Sequence, residues 1–281
     1  MKKAIAPGIF SDNYSGSELE NFLLNKQGRK MGLALDLDGT IHRGMLLRSF
    51  YESSNADLAF CLLPAVAKKS LLALIEYFLV GFSLTSKAIE YGLGIIRKNP
   101  EEQVLEMITE FSERILAGLS YDDFFETAQH ITKFAYKDSL ECILQLSQNY
   151  EKTMLISMSF KPVLEAYADK LIRMSGGRIK IEAYGTNLLV RNDEIFGLYT
   201  GVLNSEEKAK ALIQNASGLE RCAIFGNSDN DIEMFTAGSR VFGSSNCLKV
   251  SINKSPPELI EISDIYFRNW NSLKNFLSSS E

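Results

Sequence analysis

Histidine is nearly missing from this chain, with only His42 and His130 among 281 residues. A histidine base or a histidine-rich metal centre therefore has little material. His42 follows an acidic loop closely enough to line a site entrance, although a structural or solvent-facing place is the plainer expectation; His130 is expected on a helix surface. Cysteine is sparse too. Cys61, Cys142, Cys222 and Cys247 are widely spaced and form no C-x-x-C pair, which argues against a disulfide frame or a zinc site and fits reduced thiols in a cytoplasmic protein. Long apolar runs are missing as well: Lys68, Lys69, Glu76, Lys87 and Glu90 interrupt the most apolar region, Leu58 to Ile96, so no membrane helix is expected. The apolar stretch behind Met1-Lys2-Lys3 is broken by Pro7 and ends at Asp12, too short for a secretory signal. Nor is there an excess of positive charge. A formal net charge of -5 argues against a nucleic-acid partner, leaving room only for a local basic pocket.

What is present is an ordinary globular composition, 46% hydrophobic and 23% charged, long enough for two folding units. Residues 1 to 28 read as a peripheral lead-in with one short helix, capped by Ser17 and Glu20 ahead of Phe22, Leu23 and Leu24. Met31 to Leu35 then form an apolar run that stops at Asp36, the pattern of a buried strand. From 44 to 147 the periodicity turns helical, over Ala65 to Phe78, Glu101 to Leu116, Tyr121 to Phe134 and Asp138 to Leu146. Beyond 148, short apolar runs (Thr153 to Ser157, Ile179 to Tyr184, Cys222 to Gly226, Arg240 to Gly243) alternate with helical segments (Pro162 to Arg173, Glu206 to Gln214, Asp231 to Ala237). Alternation of this kind indicates an α/β core around a doubly wound parallel sheet. Asn192-Asp193 between two short apolar stretches predicts a tight hairpin. The economical arrangement is a core of 29–43 and 148–281, interrupted by an all-helical cap of 44–147.

Polar residues close three of the expected strands: Asp36, Ser157 and Asn227. In an open parallel sheet such carboxyl ends converge on one crevice. Asp36, Asp38 and Asp231 gathered there would repel one another unless they shared a cation, and oxygen donors of this type favour magnesium. Each signal alone is bland: Asp-Gly is a turn, a lone serine ends many strands, and a lone lysine usually faces water. Together they are specific. Asp36-Leu37-Asp38-Gly39-Thr40 resembles the D-x-D-x-T first motif of the haloacid dehalogenase (HAD) superfamily. Ser157 in Leu-Ile-Ser-Met-Ser is similar to that family's second motif, Lys208 in Asn-Ser-Glu-Glu-Lys to the third, and Gly226-Asn-Ser-Asp-Asn-Asp231 to the fourth, all in the family's order. The helical block between the first two motifs resembles the cap of the phosphoserine phosphatase-like branch.

The resemblance implies a Rossmann-like core and a magnesium-dependent phosphatase acting on a small phosphorylated substrate. It makes Asp36 the nucleophile that forms an aspartyl-phosphate, and Asp38 the acid and base. Thr40, Ser157 and Lys208 then hold the phosphate; Asp36, Asp38, Asn227 and Asp231 hold Mg2+; Gly39 allows the loop's turn and Asn230 orients Lys208 or Asp231. Asn227 departs from the family's usual aspartate, and weaker magnesium binding is expected from it. Asp229 fits solvent or a helix cap better than the metal. Ser159 is open between a contact near the phosphate and a cap ahead of Pro162. Met154, Met158, Phe124, Phe125 and Phe134 are assigned to packing. A phosphoserine substrate lacks its expected cap arginine, because Tyr121 to Glu126 is acidic and aromatic. Two alternatives stay open: phosphoryl transfer to an alcohol, and a binding protein whose metal site Asn227 has weakened.

Overall fold

The computed structural model describes residues 2–44, 53–69 and 116–279. A nine-stranded sheet runs through it in the order β1-β2-β9-β8-β7-β3-β4-β5-β6. Its middle is parallel: β3 (Met31–Leu35) lies between β4 (Lys152–Phe160) and β7 (Arg221–Gly226), with β5 (Ile181–Arg191) beyond β4 and β8 (Cys247–Ile252) and β9 (Ile265–Phe267) beyond β7. Antiparallel strands close both edges, β6 (Glu194–Gly201) on β5, and β2 (Ile9–Ser11) with β1 (Lys3–Ala6) on β9.

The central strands are apolar and buried on both faces because helices cover both. Leu33 and Leu35 of β3 face a cluster that includes Phe22 of α1 (Gly16–Leu23), Val163 and Tyr167 of α6 (Lys161–Met174), and Trp270 of α10 (Trp270–Ser278). Ala34 faces the opposite cluster, with Leu212 of α7 (Ser205–Asn215), Met234 and Phe235 of α8 (Ile232–Phe242), and Leu259 of α9 (Pro257–Ile262). This is the doubly wound α/β fold expected from the sequence. Chain order reverses between β3 and β7, which opens a crevice at their carboxyl ends.

Between β3 and β4 every described element is helical: α2 (Ser54–Cys61), α3 (Leu63–Lys69), α4 (Tyr121–Ile131), a 3-10 turn at Thr132–Phe134 and α5 (Ser139–Ser147). The helical expectation for Glu101 to Leu116, and for the end of Ala65 to Phe78, falls largely outside the described residues. No described helix is long and apolar enough to cross a membrane.

Several local readings change. The capping box of α1 is Ser15 with Glu18 rather than Ser17 with Glu20; Ser15 takes the N-cap dihedrals and accepts the Glu18 amide. The lead-in also supplies two strands, too short to show a period. The apolar run at Arg240 to Gly243 is the end of α8, and the strand follows at Cys247–Ile252, because Gly243 at φ 76° stops the helix first. The hairpin forms as expected, with Asn192 and Asp193 both at positive φ as a two-residue primed turn requires.

Candidate active site

The crevice is assembled from the ends of β3, β4 and β7 and from one face of α7. Asp36 follows β3 directly and is buried, its amide donating to the Phe225 carbonyl at 3.0 Å across the β3–β7 pair. Gly39, at φ 73°, turns the following loop so that its N–H reaches the His42 carbonyl at 2.9 Å. That turn brings Thr40 back to Asp36: its Oγ1 lies 3.2 Å from Asp36 Oδ2 and 2.9 Å from Asn227 Oδ1. One hydroxyl proton serves one of these acceptors at a time.

Lys208 enters from α7. Asn204 caps that helix by accepting the Glu207 amide, which sets Lys208 on the buried face. Its Nζ donates to Asp36 Oδ1 at 2.7 Å and to Asp231 Oδ1 at 2.5 Å. The other Asp231 oxygen accepts the amides of Asn227 (2.9 Å) and Ser228 (3.0 Å) and the Ser228 hydroxyl (3.2 Å). Gly226 makes room for this, since a Cβ there would sit 2.6 Å from the Asp231 side chain.

Burial and the neighbouring Asp231 charge push the Asp36 carboxyl up to about 7 against the pull of Lys208, with Asp38 adding to the rise. Burial works to lower Lys208, yet the charges of Asp231 and Asp36 outweigh it and raise the ammonium above its ordinary value. With all three aspartates ionised, one ammonium leaves the crevice with excess negative charge, the setting in which a divalent cation is stabilising. Among the described residues no cluster of three or more His, Cys, Asp and Glu side chains is arranged to hold a metal. The oxygen donors gathered here that suit a hard cation are those of Asp36, Asn227 and Asp231, each of which already faces a protein donor: Lys208 or Thr40 at Asp36, Thr40 at Asn227, and Lys208 and the Asn227–Ser228 amides at Asp231.

Asp38 belongs to a separate network. Its Oδ1 accepts the Ser54 amide at 2.7 Å and its Oδ2 accepts the Ser159 hydroxyl. Ser159 therefore caps no helix: Phe160 occupies the N-cap of α6 and gives no side-chain bond. Ser157 is buried beside it, its Oγ accepting the Ser159 amide at 3.4 Å. Strand β4 runs on past Ser157 to Phe160, with its pairing to β5 irregular between Ile156 and Phe160.

Asn230 lies half-buried in the turn Asp229–Asp231, outside the hydrogen bonds drawn around Lys208 and Asp231, and Asp229 is exposed. His42 is fully buried, which removes the solvent-facing option; its Nδ1 meets Tyr167 Oη at 2.7 Å and its Nε2 meets Asp57 Oδ2 at 2.9 Å. His130 is exposed, as expected.

Two further residues bear on the loop that follows Asp36. Asn253, just after β8 and at φ 65°, donates from Nδ2 to the carbonyls of Gly39 (2.9 Å) and Thr40 (3.0 Å). Trp270 Nε1 donates to the same Thr40 carbonyl at 2.7 Å. They tie the loop after Asp36 to the end of β8 and to helix α10.

No family model matches the sequence, and no curated protein matches it. Solved structures do match the fold. Cytosolic 5'-nucleotidase IIIB bound to cytidine aligns over 98% of this chain and 93% of its own, at 14% identity and TM-score 0.63. A HAD family hydrolase from Salmonella enterica serovar Typhi aligns over 89% and 73%, at 15% identity and TM-score 0.55. A phosphoserine phosphatase in apo form aligns over 89% and 98%, at 17% identity and TM-score 0.54. The chain thus has the fold of the HAD hydrolases, with phosphoserine phosphatases among its structural neighbours.

Proposed function

We propose that this chain is a magnesium-dependent phosphatase that hydrolyses a small phosphomonoester through an aspartyl-phosphate on Asp36. The observation that carries the reading is Lys208, a buried ammonium bridging Asp36 and Asp231 at the switch point of the sheet. An unpaired carboxylate would be too costly there; a paired one beside Thr40 is a held nucleophile. The fold neighbours, a nucleotidase and phosphoserine phosphatases, support a small phosphate ester as the substrate class.

In the first step Asp36 Oδ2, the oxygen not paired with Lys208, attacks phosphorus. The bond from phosphorus to the ester oxygen breaks, and Asp38 gives its proton to the departing oxygen. In the second step Asp38 takes a proton from water as that water attacks phosphorus. The bond to Asp36 breaks, its electron pair returns to the carboxylate, and inorganic phosphate leaves. Lys208, Thr40 and Ser157 are the donors to the phosphoryl oxygens. Magnesium, held by Asp36, Asp38, Asn227 and Asp231, would supply neutralisation of the phosphoryl charge. We assign substrate choice to the insertion of 44–147, and Asn230 to the surroundings of Lys208.

The test is phosphate release from a panel of phosphomonoesters with and without magnesium, comparing wild type with Asp36→Asn. Release that needs both magnesium and Asp36 supports the reading. Product transferred to an added alcohol instead of water would favour the phosphotransferase alternative, and silence from wild type across the panel would favour a binding role.

A further inference from the structure

Asp38 is held differently from the other acids of the crevice, and the difference points to the leaving group. The Ser159 hydroxyl donates its one proton to Asp38 Oδ2. The Ser54 hydroxyl, 2.9 Å from Ser159 Oγ, must then donate to Ser159. This fixes a direction, Ser54 to Ser159 to Asp38, while the Ser54 amide holds the second Asp38 oxygen. Ser54 and Ser159 are both buried, so water does not substitute for either hydroxyl.

The relay is anchored at its far end. Ser54 opens helix α2, and that helix is fastened to the core by Asn55 Oδ1 accepting the Phe160 amide at 3.2 Å and by Asp57 meeting His42. Leu58 and Leu62 add apolar anchoring from the same segment. Ser159 and Ser54 contribute no charge and are not among the donors assigned to the phosphate. Their geometry serves one purpose, fixing where the Asp38 carboxyl points.

We propose that Ser159, backed by Ser54, is a positioning residue that aims Asp38 at the ester oxygen. This rests on the phosphatase reading above. An aliphatic alkoxide is a poor leaving group that needs the proton as it departs, whereas p-nitrophenolate leaves without one. General-acid assistance is worth about 10²- to 10⁴-fold, and a misaimed acid forfeits part of it.

The experiment compares kcat/KM of wild type, Ser159→Ala and Ser54→Ala, with magnesium, on p-nitrophenyl phosphate and on an alkyl phosphate such as glycerol phosphate. The expected result is a loss on the alkyl ester about tenfold greater than on the aryl ester in both variants, with Ser159→Thr regaining part of the difference. Equal losses on both esters overturn the inference and leave the phosphatase reading standing. No release from wild type on either ester overturns both. Should Ser159→Ala fail to fold, Ser54→Ala decides alone, because it removes the relay hydroxyl and keeps the amide contact.

Discussion

Asp36 and Asp38 stand two residues apart on one loop, yet the first is gripped by an ammonium and the second by a hydroxyl and a backbone amide. The Asp36 side is made by the sheet itself, from strand ends and one helix face, with charge answering charge in a buried setting. The Asp38 side is made by helix α2 and the last turn of β4, with neutral donors that orient without compensating. A nucleophile must be held still while it is desolvated, and Lys208 offsets part of the rise that burial and Asp231 impose on Asp36. An acid and base must change protonation twice per turnover, which a fixed ammonium alongside would oppose. The two carboxyls are therefore suited to different work by their surroundings rather than by their chemistry.

If that division is right, the largest effect comes from removing the attacking oxygen: Asp36→Asn is expected to lower phosphate release by at least about 10³-fold, as losses of a nucleophile do. Next is Lys208→Met, which leaves Asp36 and Asp231 facing each other without their shared cation. Breaking a buried ionic set by removing one partner costs about 3–5 kcal/mol, to be read from urea unfolding, and Asp231→Asn in the same background should recover part of it.

The pH dependence of stability sharpens the contrast further. Asp36 is raised in the folded protein to about 7 from an ordinary 3.8, so the native state binds more protons than the unfolded state between those values. Its contribution is fully present below the lower value and is lost as pH rises through the upper one, so the melting temperature of magnesium-free protein should fall from about pH 4 to about pH 7 through this group. Added magnesium should raise the melting temperature more at pH 7.5 than at pH 5, because it competes with the proton. A magnesium shift independent of pH would break the assignment of Asp36 as a ligand.

Smaller effects concern the loop and the metal. Asn253→Ala removes both donors to the Gly39 and Thr40 carbonyls and is expected to cost about 1–3 kcal/mol in thermal or chemical unfolding. Asn227→Asp restores a negative charge to the metal donors and should lower the magnesium concentration needed for half-maximal activity by about tenfold, since ligand charge tunes divalent-cation affinity. Low-micromolar magnesium affinity in the wild type would contradict the weak donor set drawn here.

The two sides also differ in how far the sequence reveals them. Asp36, Thr40, Lys208, Asn227 and Asp231 are polar residues breaking apolar strands or following a helix cap, a signal visible in one dimension. The sheet was legible for the same reason, because buried parallel strands are apolar throughout. Ser54, Asn253 and Trp270 carry no such signal: a serine at a helix start, an asparagine at a turn and a tryptophan on an amphipathic helix are ordinary until tertiary contact brings them to the loop. Strands β1 and β2 escaped notice because three or four residues cannot show a period. His42 was placed near the crevice by sequence proximity, but its burial between Asp57 and Tyr167 depends on two distant segments.

The most direct test of the central claim is to trap the intermediate. Enzyme turning over p-nitrophenyl phosphate with magnesium would be quenched in acid and reduced with borohydride, which converts an acyl phosphate to an alcohol, and the peptides read by mass spectrometry. The account predicts conversion of Asp36 to homoserine and no change at Asp38 or Asp231. Rapid turnover with Asp36 unaltered, or the alcohol at another carboxylate, would contradict it.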